Sequence, residues 1–125
     1  MAHAAQGRPR SAREVFVDHL RCRSARAVEE DIARNYAAGV VLLTGCGLHR
    51  GHEGVRLLAR LLDEQLPCAA YEYRTRLVGG EVAFLEWSAR CAAASVEDGA
   101  DSFLIRDGKI VAQTIHYTVR PAATG

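Results

Sequence analysis

The chain has 125 residues, of which 49% are hydrophobic and 25% charged, and sixteen basic against fifteen acidic residues leave a formal net charge of +1. That is one domain's worth of globular chain, long enough to bury a substantial core. The near-even charge gives no electrostatic reason to expect nucleic acid or an anionic membrane as partner, and no apolar run is long enough to cross a bilayer.

The four cysteines, Cys22, Cys46, Cys68 and Cys91, form no C-x-x-C pair and no zinc-like spacing. Each sits in or beside an apolar stretch, where a thiol packs as a small hydrophobe. They read as reduced. With no signal-peptide pattern before Gly7-Arg8-Pro9-Arg10, the expected compartment is the cytoplasm. The early arginines, Arg8 to Arg26, read as a solvated tail and helix face.

Residues 1–10 are expected to be a disordered lead-in to one domain over residues 11–119. Ser11 with Glu14 makes a capping box for a helix over residues 12–22, with Val15, Phe16, His19 and Leu20 in one stripe. Ser24 is a second N-cap candidate. Val28, Ile32 and Tyr36 mark the buried face of a helix over residues 25–37, closed by Gly39. Residues 40–44 form an apolar strand, and residues 45–51 a glycine-punctuated loop. A third helix covers residues 53–66, with Val55, Leu58, Leu61 and Leu62 inward and Pro67 as the stop.

The remainder reads as strand. Residues 70–77 alternate, with Tyr71, Tyr73, Thr75 and Leu77 on one face and Glu72, Arg74 and Arg76 on the other. Gly79-Gly80 turns into a strand over residues 82–94. Asp98-Gly99 signals a turn into residues 101–106, and Asp107-Gly108 another into a last strand over residues 109–119. Residues 120–125 are expected to fray. Helices first and an antiparallel meander second specify an α+β fold, with three N-terminal helices covering the concave face of a strongly curved, mostly antiparallel sheet.

In Asp101-Ser102-Phe103 through Gly108-Lys109-Ile110, and again in Gly51-His52-Glu53-Gly54-Val55-Arg56, the chain resembles the SnoaL-like proteins of the nuclear transport factor 2-like superfamily, whose fold is a cystatin-like cone related to that of ketosteroid isomerases. Asp101-Ser102-Phe103-Leu104-Ile105-Arg106-Asp107-Gly108-Lys109-Ile110 resembles the family's D-x-F-x-x-x-x-G-K-I strand pair. Gly51-His52-Glu53-Gly54-Val55-Arg56 resembles its G-x-x-x-I-R helix opening. The resemblance spans residues 11–119 and implies an apolar small-molecule pocket. It also implies pairing of two copies through the convex sheet face, and no cofactor; the chain itself carries no G-x-G-x-x-G and no Walker loop.

Carried over residue by residue, the ketosteroid isomerase layout places Asp101 on the protonated aspartate. It leaves Thr44 at the base position and Phe16 near the tyrosine, so two of its three parts are missing. The limonene epoxide hydrolase layout falls on Trp87, Ala89 and Ile115, with no carboxylate to activate water. A SnoaL-type cyclase needs one carboxylate acid/base, and Asp101 supplies it.

Alternation turns Asp101 inward with Phe103 and Ile105, where an apolar setting raises a carboxyl's pKa. Tyr73 or Tyr117 would then hydrogen-bond a developing oxyanion. Trp87, Tyr71, Gln113, Tyr36, Phe16 and Phe103 are expected to line the pocket, with His49 at its mouth. His49 and His52, separated by Arg50 and Gly51 and set in a loop, do not make a metal site. His19 reads as a satisfied core histidine, and Glu86 and His116 fall on the convex face. Two functions follow: cofactor-free acid/base chemistry on a carbonyl compound, or a binding or interaction module with no chemistry. A catalytic Asp101 should meet a hydroxyl or imidazole across the pocket, and a structural one should be held by backbone amides.

Overall fold

The computed structural model describes residues 8–123. Helix α1 (Ala12–Ser24) begins with the expected capping box: the Glu14 amide donates to Ser11 Oγ at 3.1 Å, and the Ser11 amide to Glu14 Oε1 at 2.7 Å. It runs on through Ser24, so Ser24 caps nothing. Arg26 then takes a left-handed backbone (φ 58°), and α2 (Val28–Asn35) starts uncapped by any side chain. The second helix is therefore shorter than its apolar spacing suggested. Tyr36 already belongs to β1 (Tyr36–Thr44), and Gly39 is a strand residue instead of a helix stop.

The glycine-rich segment that reads as a loop holds a strand as well. The Cys46 amide donates to Thr44 Oγ1 at 2.9 Å, and β2 (Gly47–Arg50) folds back antiparallel on β1. Helix α3 (Gly51–Gln65) follows, and Pro67 lies just beyond its end. Then come β3 (Ala70–Gly79), β4 (Val82–Arg90), β5 (Ala94–Arg106), β6 (Lys109–His116) and β7 (Arg120–Pro121). Tight turns join β3 to β4 and β5 to β6. Asp107 and Gly108 both have positive φ (54° and 75°), the signature of a two-residue hairpin turn.

Two sequence expectations about strands fail for identifiable reasons. Asp98-Gly99 is no turn: it lies inside β5, and the chain reverses at residues 91–93, where the Cys91 amide donates to the Ala94 carbonyl at 2.9 Å. Gly99 is glycine because Trp87 lies directly over it, and a Cβ there would run into the indole ring. In β3 the pairing shifts between Tyr73 and Thr75, a bulge that exchanges the two faces beyond it. Leu77 therefore pairs with Phe84 on the outer face and is 60% exposed, while Arg76 moves beside Leu85 on the inner side. Arg120 and Pro121, expected to fray, pair with β5.

The strands form one mixed, mostly antiparallel sheet in the order β2-β1-β6-β5-β4-β3, with β7 on β5 and only β1 and β6 parallel. The sheet curves without closing. The core lies between its concave face and the helices: Val15, Phe16 and Leu20 of α1, Ile32 of α2 and Val55 of α3 meet Val40, Leu42, Leu85, Phe103, Ile105 and Ile110. The N-terminal lead-in is anchored at its near end. Arg10 donates to Asn35 Oδ1 at 2.9 Å and to the Arg34 and Gly108 carbonyls; the rest of the expected disordered stretch, residues 1–7, lies outside the described residues. No described helix is long and apolar enough to cross a membrane.

Candidate functional site

Three neighbouring strands carry a polar row on the inner face. Trp87 pairs with Gly99 across β4 and β5, and Gln113 pairs with Phe103 across β5 and β6. Asp101 lies two residues from each of those partners, so it is the diagonal neighbour of both side chains. Trp87 Nε1 donates to Asp101 Oδ1 at 2.9 Å, and Gln113 Nε2 donates to Oδ2 at 2.9 Å. The row continues into β1, where the Tyr36 hydroxyl donates to Gln113 Oε1 at 2.6 Å. All four side chains are buried. Burial pushes the Asp101 carboxyl above its ordinary value. The hydrogen bonds from Trp87 and Gln113 pull against that, as do the more distant charges of His19 and Arg23. Burial also drives the Tyr36 phenol far up, so it remains a donor.

This row forms part of the wall of a cavity of about 840 Å³ between the sheet and the helices. Leu42, Leu85 and Ile115 extend the sheet wall, Val55, Leu58 and Leu62 of α3 close it from above, and His19, Leu20 and Arg23 line it from α1. Aromatic rings flank the indole: the Tyr71 and Tyr117 ring centroids each lie 5.6 Å from that of Trp87.

Of the residues proposed from sequence, Asp101, Trp87, Gln113, Tyr36, Tyr71, Tyr73 and Tyr117 all border this cavity. The hydrogen-bond partners of Asp101 and Tyr117 differ from the expected ones. Among the described residues Asp101 meets neither a hydroxyl, an imidazole nor a backbone amide, but an indole and a side-chain amide. The Tyr117 hydroxyl donates to Gln65 Oε1 at 2.6 Å, away from the carboxyl. Tyr71 sits at the rim, its phenol pushed up to about 12 by partial burial. Phe16 and Phe103 are core residues packed edge to face (5.4 Å) and do not border the cavity. His49 does not border it either. It faces inward from β2 opposite Leu42, beneath the start of α3, and its Nε2 is sealed with no partner among the described residues. His52 Nε2 donates to the Tyr36 carbonyl (3.0 Å), and among the described residues no three His, Cys, Asp or Glu side chains gather as a metal site.

His19, read from the sequence as a satisfied core histidine, also borders the cavity. Its ring is buried, its Nδ1 lies 2.8 Å from Asp31 Oδ2, and Asp31 is fully buried. The spacing of His19 to Asp31 spans a helix break, which left the pair invisible in the sequence.

No family model matches the chain, and no curated relative does. Solved structures match over most of its length. An NTF-2 like protein of unknown function from Burkholderia xenovorans LB400 is 16% identical, with a TM-score of 0.71, covering 91% of this chain and 87% of that one. A SnoaL-like polyketide cyclase candidate from Mesorhizobium loti is 13% identical (TM-score 0.63), covering 86% and 100%. TerC, co-crystallised with polyporic acid, is 18% identical (TM-score 0.67), covering 86% and 91%. Identities this low speak to architecture, and together with the sheet order and helix placement they lead to one statement: the chain has the nuclear transport factor 2-like fold.

Proposed function

We propose that the chain binds a small, largely apolar organic molecule in the cavity beneath α3. The observation that carries this is a volume of about 840 Å³ walled by leucines and aromatic rings, with one buried polar row at Asp101 and Gln113. A few placed polar groups in an apolar enclosure orient a ligand while its body displaces water. TerC, of the same fold, was co-crystallised with polyporic acid, which makes flat oxygenated aromatic compounds the first ligands to try. Cofactor-free acid/base chemistry on a carbonyl compound is consistent with a buried carboxyl of raised pKa on the wall. The occupation of both Asp101 oxygens by Trp87 and Gln113 favours a second reading, a binding module in which Asp101 orders the wall without reacting. Free thiols at all four cysteines fit a cytoplasmic setting. The outer face, with Leu77, Phe84 and Glu86, is the surface through which two copies would pair.

Trp87 is the only tryptophan in the chain, so its emission reports on the cavity directly. Titration with hydroxyquinones and planar ketones should quench or shift that emission saturably and raise the melting temperature. A panel that leaves both unchanged counts against the cavity as a ligand site.

A further inference from the structure

We infer that His19 is the proton-accepting group of the cavity, with Asp31 as the residue that holds its ring and tautomer. This rests on the cavity being a ligand site. His19 Nδ1 lies 2.8 and 3.1 Å from the two oxygens of Asp31. A carboxylate can only accept, so Nδ1 carries the hydrogen, and in the neutral imidazole the lone pair then sits on Nε2. Asn35 fixes the carboxylate in turn, its Nδ2 donating to Asp31 Oδ1 at 2.8 Å and to Asp18 Oδ2 at 2.9 Å.

Nε2 has no hydrogen-bond partner among the described residues. The only buried, unpartnered side-chain nitrogen or oxygen among them is His49 Nε2. His19 is only 4% exposed and borders the cavity, and with Nδ1 held by Asp31 the ring nitrogen left for a ligand there is Nε2. The rings of Phe103 and Tyr36 pack against His19 at 5.2 and 5.8 Å and fix its plane. An oriented imidazole with a carboxylate behind it is the arrangement of a general base: the carboxylate sets the tautomer and stabilises the imidazolium that forms. By contrast both Asp101 oxygens already accept hydrogen bonds.

The chemistry suited to this wall is abstraction of a proton from an acidic C–H of a flat ligand. The C–H electron pair becomes the C=C bond of an enolate as the carbonyl π pair moves onto its oxygen, or it forms a new π bond as a leaving group on the neighbouring atom departs with its bonding pair. The proton stays on Nε2 until the same ligand or water takes it back.

Two measurements test the assignment. Long-range ¹⁵N–¹H spectra of the imidazoles should show neutral His19 with its hydrogen on Nδ1; a hydrogen on Nε2 would overturn the assignment. In Asp31→Asn that preference should weaken, a change that loss of stability alone does not produce. The second uses 5-nitrobenzisoxazole, a flat carbon acid. A base takes its ring C–H proton, the C–H pair completes a nitrile, the N–O bond breaks, and the electrons leave on a phenolate oxygen read by absorbance. We expect wild type to turn it over, and His19→Gln, whose amide can still donate to Asp31, to lower kcat on the order of a hundredfold with KM little changed. Arg60→Gln, at an exposed position of α3 outside the cavity wall, should behave as wild type. If the probe quenches Trp87 but His19→Gln matches wild type, or wild type gives no turnover, the inference is wrong while the ligand site stands. If the probe leaves Trp87 emission unchanged, the ligand site fails and the inference with it.

Discussion

Two buried carboxylates, one between the helices and one on the sheet, have pKa values moved in opposite directions. Asp18 receives the Arg34 guanidinium at 2.7 and 3.0 Å, with Arg21 and the Asn35 amide beside it, and its carboxyl is held far below the usual range. Asp101 receives only neutral donors, Trp87 and Gln113, and burial pushes it up. Both expose little surface, but Asp101 lies deeper, so desolvation outweighs its neutral donors there, while at Asp18, whose arginine partners reach solvent, the charged hydrogen bonds prevail. The helix cluster uses up its carboxylate in ion pairs that join α1 to α2. The sheet row keeps a carboxyl whose proton is easily retained, at the wall of a cavity.

The largest expected effect breaks the sheet row and leaves the helix cluster intact. Gly99→Ala places a Cβ inside the Trp87 ring, which must tilt away from Asp101. Overpacking of this kind should lower the melting temperature by roughly 10 °C and shift the indole emission. An unchanged melting curve would show that the indole does not lie over Gly99.

The pH dependence of two substitutions contrasts the carboxylates directly. Asp18→Asn removes the ion pairs and should lower the melting temperature by roughly 5 °C at neutral pH. A carboxyl depressed in the folded chain contributes stability above its unfolded value, ordinarily 3.8, and loses it as pH falls. The deficit of Asp18→Asn should therefore shrink below pH ~4. For Asp101 the sign reverses, because ionising a group whose folded pKa is raised costs stability as pH rises past 3.8. Asp101→Asn should be most destabilising in acid and least at neutral pH. Melting curves across pH that ran in parallel for the two variants would refute the contrast.

Smaller effects sharpen it. Tyr36→Phe deletes the donor to buried Gln113 Oε1 and should cost about 1 kcal/mol in denaturant unfolding. The Arg106–Glu81 pair at 3.0 Å has charged partners too, but it stands in water with both side chains about half exposed. Arg106→Ala should move the melting temperature by no more than about 1 °C, because solvent screens what burial concentrates at Asp18.

Much of the fold could be read along the chain. The Ser11–Glu14 box, the Asp107-Gly108 turn, the β3–β4 turn (at Gly80-Glu81, one residue beyond the expected Gly79-Gly80) and the inward alternation of Asp101, Phe103 and Ile105 are local signals, each set by a few adjacent residues. Where sequence reasoning failed, the deciding neighbour was remote. Gly99 resembles a turn until Trp87 is seen above it. Gly39 resembles a helix stop, but it lies in β1, which pairs with β6 from the far end of the chain. The β3 bulge at Tyr73 and Thr75 leaves no mark in the alternation of β3 itself, yet it turned Leu77 outward.

The site divides in the same way. Periodicity alone was enough to turn Asp101, Trp87 and Gln113 toward one face, because a strand's side chains alternate whatever the strand pairs with. Their hydrogen bonds needed the register of β4, β5 and β6, which sets Asp101 diagonally between the other two. The His19–Asp31 pair needed the packing of α1 on α2. Twelve residues apart and on either side of a left-handed Arg26, these side chains share no helical face that a periodic pattern could reveal. Local chemistry determined the elements and their inward faces; which polar groups meet, and whether each meets a charge or a neutral donor, was decided only by tertiary packing, because it alone sets the distance between residues remote in the chain.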